Sequence, residues 1–215
     1  MSLEEKIEEA IVAWDEDSLK DLCNSSIESD DVGASELLRI IGRIMRKIGK
    51  LFEEEEIFLP DLIGAANVVK NVIDDVLDPA IRNSGEKRET LGRVVLGTVE
   101  GDVHSIGKDL VAAFLFSNGF EVFNLGEEVP PAKYIEKAEE FNAQIIGLSS
   151  LLTMSMDIQR QVIEELKNRG LRNKYKVIIG GSPTSEEWAK EIDADGWADD
   201  AIEAVMLAKK IIQDK

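Results

Sequence analysis

One cysteine and one histidine occur in the 215 residues of this chain, and each scarcity narrows its chemistry. Cys23 alone can form neither an intrachain disulfide nor a thiolate metal cluster. A single cysteine in a helical stretch usually serves as a small buried residue. His104 has no second histidine beside which to bind zinc, which needs several protein ligands. Excess positive charge is missing too. The formal net charge is −18, which argues against nucleic acid, whose binding needs a basic face, and sets the chain against an anionic membrane surface. Such acidity suits solubility and docking onto basic proteins. The sequence also lacks the run of roughly 18 apolar residues that crosses a bilayer. Its opening, MSLEEKIEEAIVAW, is acidic and amphipathic, without a basic-then-apolar signal pattern. These absences predict a cytoplasmic protein with neither a nucleic-acid nor a membrane partner.

Hydrophobic residues make up 44% of the chain, enough for a packed core in one large domain or two small ones. The two halves differ in pattern. In residues 1–81, Leu37, Leu38, Ile40, Ile41, Ile44, Ile48 and Leu51 recur at three- and four-residue steps. Leu62, Ala66, Val69, Ile73 and Val76 do the same. Asp15 and Asp17 flank a break after a short first helix, Ser35 is placed to cap the third, and Pro60 falls in the first turn of the fourth. A four-helix bundle is predicted. Residues 82–90, RNSGEKRET, are polar and aperiodic and read as a linker. From 91 to 215 strands and helices alternate about five times, beginning with RVVLGT (93–98) and continuing through EVFNLG, IIGLS and KVIIGG. The expected fold is therefore α/β with an N-terminal all-α domain: a bundle followed by a flavodoxin- or Rossmann-like, doubly wound parallel sheet.

Ligands of such sheets bind beyond the carboxyl ends of the strands, which singles out the loops at 99–107, 125–130, 149–155 and 180–184. VEGDVHSIGK looks at first like a phosphate loop. It is not one: five residues separate Gly101 from Gly107, Asp109 follows Lys108 where Ser or Thr is needed, and Glu100 and Asp102 repel phosphate. Two readings of His104 stay open. It is a solvated loop histidine, or it is a ligand whose tautomer Asp102 fixes, as metal-binding histidines commonly require. In the second case the metal must arrive already coordinated in a macrocycle, a haem or a corrin. Gly107 would let a bulky group approach the backbone. LSSLLTMS (148–155) and GGSPTS (180–185) bring small residues to two further strand ends. Either they leave a deep slot, or they form tight turns with Ser155 and Thr184 as helix caps.

Asp102-x-His104-x-x-Gly107, then Ser149-x-Leu151, then Gly180-Gly181 resembles the cobalamin-binding signature D-x-H-x-x-G…S-x-L…G-G. GKLFEEEEIFLPDLIGAANVV (49–69) is similar to the helical cap of methyl-transferring corrinoid proteins. The resemblance covers nearly the whole chain and extends to the cobalamin module of methionine synthase. It implies cobalamin, cycling between cob(I)alamin and methylcobalamin, bound with its dimethylbenzimidazole detached and inserted in the slot. His104 would ligate cobalt, with Asp102 and Ser155 completing a His–Asp–Ser relay. Ser105, Ile106, Gly107, Ser149, Leu151, Thr153, Gly180, Gly181 and Ser182 would surround the cofactor. Phe58 and Leu62 would cap its upper face, unless they are plain bundle core.

The resemblance further implies a methyl-carrying corrinoid subunit that is not a complete enzyme alone. Its partners would be a substrate-specific methyltransferase and a second methyltransferase acting on a thiol or tetrahydrofolate-type acceptor, together with a reductive activating protein. The linker would act as a hinge. A cobalamin-dependent sensor, a storage protein and the small subunit of a radical mutase are the alternatives. Ser105, Asp109, Ser182 and Trp197 depart from the family's usual Asp, Asn, Ala and Tyr. None of these departures removes a ligand, and they bear on fine contacts only.

Overall fold

In the computed structural model, which describes residues 1–29, 31–85 and 89–213, the amphipathic repeats of the first half fold as α1 (Leu3–Val12), α2 (Glu16–Glu28), α3 (Ala34–Glu53) and α4 (Leu59–Val72). A π-helical turn at Ile73–Leu77 carries α4 into α5 (Asp78–Asn83). The three- and four-residue spacing buries Leu37, Ile40, Ile41, Ile44 and Ile48 along α3 and Leu62, Ala66 and Val69 along α4. Asp15 caps α2 by accepting the Ser18 N–H at 3.0 Å. Asp17 lies inside that helix rather than at its break. Ser35 is not the cap of α3. The backbone is extended at Gly33 and helical from Ala34, so Ser35 already sits in the first turn.

The chain divides into two compact units, Met1–Glu89 and Thr90–Lys215. Residues 82 and 83 of the expected linker belong to α5, and 86–88 lie outside the described residues. The second unit runs β1 (Arg93–Thr98), α6 (Ile106–Ser117), β2 (Glu121–Asn124), α7 (Pro131–Glu140), β3 (Ile145–Ser149), a 3-10 turn (Thr153–Ser155), α8 (Met156–Asn168), β4 (Lys176–Gly180), α9 (Glu186–Ile192), β5 (Gly196–Trp197) and α10 (Ala201–Gln213). All strand pairs are parallel, in the order β2-β1-β3-β4-β5. The winding reverses between β1 and β3, so the loops after these two strands flank the switch point where open α/β sheets bind ligands.

The two faces of the sheet are filled differently. On one, Val95, Ile146, Leu148, Val177 and Ile179 join a core completed by apolar residues of α7, α8 and α9. On the other, the alternate residues form rungs set by the register: Val94 beside Ile145, and Leu96 beside Gly147 beside Ile178. This second face borders a cleft against α6 and α10. Among the described residues no helix is long and apolar enough to cross a membrane.

Cys23 is fully buried on α2, and burial pushes its thiol up to about 11. The folded protein at neutral pH should therefore resist a thiol-specific chromogenic reagent and release one equivalent of thiol only after denaturation. Rapid reaction in the native state would contradict the packing of α2.

Candidate functional site

The loop after β1 turns sharply at Gly101, whose φ of +80° belongs to glycine. The Asp102 N–H donates back to the Val99 carbonyl at 3.1 Å. That turn delivers Asp102 into the interior, with no exposed side-chain surface, while His104 stays 48% exposed above it. Thr98, buried at the end of β1, donates its hydroxyl proton to the His104 carbonyl at 3.0 Å and pins the loop from below.

Asp102 is the hub. Oδ1 accepts the His104 backbone N–H at 3.0 Å and contacts His104 Nδ1 at 2.7 Å. Oδ2 accepts the N–H groups of Leu151 and Leu152, at 2.6 and 3.2 Å, from the loop after β3. Burial is the largest single influence on the carboxyl and pushes its pKa up. The His104 backbone and ring donors, with the Leu151 and Leu152 amides, outweigh it and hold the pKa at about 2. An ionised carboxylate only accepts, so the His104 ring must carry its proton on Nδ1. Nε2 is then left with its lone pair, on a half-exposed ring.

Ser155 Oγ lies 3.2 Å from Asp102 Oδ2, 2.8 Å from Ser150 Oγ and 2.9 Å from the Leu152 carbonyl. Its single proton can serve one acceptor at a time. Ser150, unremarked in the sequence, is therefore as much a part of the cluster as Ser155. Further support also escapes the motif. Gln159, fully buried on α8, donates to the Leu148 carbonyl at 3.0 Å and the Gly180 carbonyl at 3.3 Å, and its own oxygen accepts from Trp188 Nε1 at 2.9 Å. It clamps β3 to β4 directly beneath their loops. A buried glutamine on an otherwise apolar helical stripe was the available signal.

A cleft of about 690 Å³ opens beside His104. Its lining includes Ser105, Ile106, Gly107, Ser149 and Leu151, and across from them Gly180, Gly181 and Ser182. Thr153 is exposed in the 3-10 turn and does not line the cleft. Ser155 lies behind Asp102 rather than in the wall. A Cβ on Gly107 would meet nothing within 4 Å, whereas one on Gly181, at φ +118°, would overlap the Ser150 carbonyl oxygen. Gly107 thus leaves space, and Gly181 allows two backbones to touch. Thr184 is not a helix cap. Its hydroxyl donates to the Gly181 carbonyl at 2.6 Å and accepts from Trp197 Nε1 at 2.9 Å, while Ser185 caps α9. Alanines 201, 204 and 208 present small side chains from α10, at helical spacing.

In the helical unit, Phe58 precedes α4 and is 77% exposed, while Leu62 is fully buried. Leu62 therefore offers no surface to a ligand, and its apolar side chain serves the packing of α4. Among the described residues no three His, Cys, Asp or Glu side chains gather in a way that could hold a metal ion. Any metal at His104 must bring its other ligands with it. The donor set suits a cobalt already held in a corrin: one imidazole nitrogen fixed from behind, beside a cleft kept open by small residues.

Residues 92–206 match a family described as B12 binding domain, and residues 3–77 match a second family of the same description. The chain is 41% identical over 217 residues to a corrinoid protein of Desulfitobacterium hafniense (strain Y51), covering 99% of this chain and 98% of that one. It is 45% identical over 171 residues to dimethylamine corrinoid protein 1 of Methanosarcina mazei, covering 80% and 78%. Its structure is similar to a chain of the methanol:cobalamin methyltransferase complex of Methanosarcina barkeri, with a TM-score of 0.85 and 27% identity over 99% of this chain and 80% of that one.

Two outcomes follow from the geometry. Asp102→Asn puts an amide N–H among donors and should cost about 1–3 kcal/mol in urea unfolding at neutral pH. Because the folded-state pKa is lowered, the wild-type advantage is fully present above the ordinary carboxylate value of 3.8 and declines as pH falls toward about 2. A constant difference across that range would refute the assignment. Gly181→Ala should lower stability by roughly 3 kcal/mol or more, read as a fall in Tm, because strain at positive φ adds to the overlap with Ser150.

Proposed function

The chain belongs to the B12-binding corrinoid proteins, and from that membership we propose that it carries a methyl group between two methyltransferases on a bound cobalamin. When bound, the cofactor supplies a cobalt that can accept a methyl group and pass it on. The protein's residues supply ligation, orientation and shielding. The observation that carries the reading is the pair Asp102–His104: a buried ionised carboxylate 2.7 Å from Nδ1, which leaves Nε2 of an exposed ring as a donor at the mouth of an open cleft.

His104 Nε2 is the protein's ligand to cobalt. Asp102 would hold the Nδ1 proton and so fix the tautomer, and Ser155 would steady the carboxylate from behind with Ser150. Ser105, Ile106, Gly107, Ser149, Leu151, Gly180, Gly181 and Ser182 receive the part of the cofactor that enters the cleft. Thr153, outside the lining, has a place only at the rim. Phe58, exposed and aromatic, is our choice for a residue that would help shield the bound cofactor, a role that burial denies to Leu62.

A methyltransferase is the expected partner, as in the methanol:cobalamin methyltransferase complex to which the chain is similar. A second methyltransferase with a thiol or tetrahydrofolate-type acceptor, and a reductive activating protein, complete the cycle in the cytoplasm. Sensing, storage and mutase roles are less well supported, because relatives matching along most of the chain are corrinoid proteins, several of them named for dimethylamine.

Reconstitution with cobalamin should give an absorption spectrum that changes in His104→Ala, with the variant still folded by circular dichroism. Identical spectra would exclude His104 as ligand. Incubation of the reduced, loaded protein with methylamine- or methanol-specific methyltransferases and their substrates should transfer a methyl group to it. Binding without transfer from any donor would favour storage or sensing.

A further inference from the structure

We propose that the cleft selects corrinoids by their lower base, accepting an apolar arene of the dimethylbenzimidazole or phenol type and disfavouring a purine. This rests on the reading that the detached base enters the cleft. The argument comes from where polar groups stop. Polar side chains line only the mouth, at the carboxyl ends of the strands: Ser149 ends β3, Ser182 follows β4, Ser105 precedes α6, and Asp199 and Asp200 precede α10. Lys108, in the first turn of α6, has its ammonium group engaged by Asp109 and Asn124.

Below that rim the floor is the two inner rungs, Val94 beside Ile145 and Leu96 beside Gly147 and Ile178. Ser149 lies four residue steps along β3 from Ile145, a depth of roughly 13 Å. Over it α6 contributes Leu110, Val111 and Leu115, and α10 contributes Ala204 and Ala208. None of these side chains donates or accepts a hydrogen bond. The backbone offers nothing in their place. β1, β3 and β4 each pair on both sides, so their N–H and C=O groups are spent in the ladder. Below the rim, α6 and α10 face the cleft through Leu110, Val111, Leu115, Ala204 and Ala208, which lie past the first turn of their helices, where backbone N–H groups are bonded within the helix; the free N–H groups of the first turns stay at the mouth.

The wall therefore discriminates by chemistry rather than by size. Dimethylbenzimidazole brings two methyl groups and one unbonded ring nitrogen. A phenol-type base brings no unmet donor. Adenine brings several ring nitrogens and an amino group with two protons, each stripped of water with no partner in the wall. A site without matching polar groups penalises such a ligand for every group left unpaired. Adenine is also the weaker ligand to cobalt and detaches more readily, so selection by the wall must overcome that advantage.

The test is equilibrium binding of four corrinoids to the full-length protein, followed by absorption and fluorescence quenching: cobalamin, a phenol-type cobamide, an adenine cobamide, and cobinamide, which has no base. Cobalamin and the phenol-type cobamide should bind more tightly than cobinamide. The adenine cobamide should bind at least about tenfold more weakly than cobalamin. Equal or tighter binding of the adenine cobamide would overturn the inference. So would affinities indistinguishable from that of cobinamide for all three bases; if the His104-dependent spectrum were retained, the proposed function would still stand. Failure to bind any corrinoid would remove both.

Discussion

The buried carboxylate of Asp102 is the constraint on which the rest of the site depends. It has two oxygens and no solvent, so its charge must be met by donors from the protein, and they come from two loops. One oxygen takes the backbone and ring of His104, and the other takes the amides of Leu151 and Leu152. Those loops follow β1 and β3, the two strands on either side of the switch point. A single charge thus ties both sides of the switch together and sets the histidine tautomer. Because the donors outweigh burial, the carboxylate stays ionised across the ordinary pH range.

Around that hub the sheet divides its work between its faces. One face is packed closed by α7, α8 and α9. The other is packed less fully: α10 presents only alanines 201, 204 and 208 to the cleft, while Leu96 fills the place a side chain on Gly147 would take. Unfilled apolar space costs stability, because its walls lose contacts they would otherwise make. A fold tolerates that cost where a ligand restores the contacts. The Gln159–Trp188 pair and the Thr184–Trp197 pair hold the strand ends from the closed side, so the open side keeps its shape.

Much of this was legible in the residues. The change in periodicity near residue 90 marked two kinds of structure, and the strands at 93–98 and 145–149 were placed to the residue, because β-branched runs between turn-formers have few alternatives. The Asp102–His104 pairing could be read because two residues of separation brings a carboxylate back to its neighbour's ring. Other readings failed for physical reasons. Ser35 has the residue type of a cap, but the chain turns helical before it, at Ala34. The family resemblance points to Leu62 as a cofactor cap, but its place on the apolar stripe of α4 buries it. Gln159 is not legible in the sequence because its importance lies in the carbonyls of β3 and β4 and the indole of α9 that stand opposite it, and Ser150 is not because only the folded loop brings its hydroxyl to Ser155.

The sequence by itself determined the elements, their alternation, the single histidine and the carboxylate beside it, since these follow from local periodicity, turn chemistry and composition. Only the tertiary structure decided that Asp102 also bonds the loop after β3, that Gly181 must be glycine because Ser150 lies against it, and that one face of the sheet stays open with polar groups confined to its rim. Those facts are distances between residues far apart in the chain. They exist only once β1, β3 and β4 lie side by side.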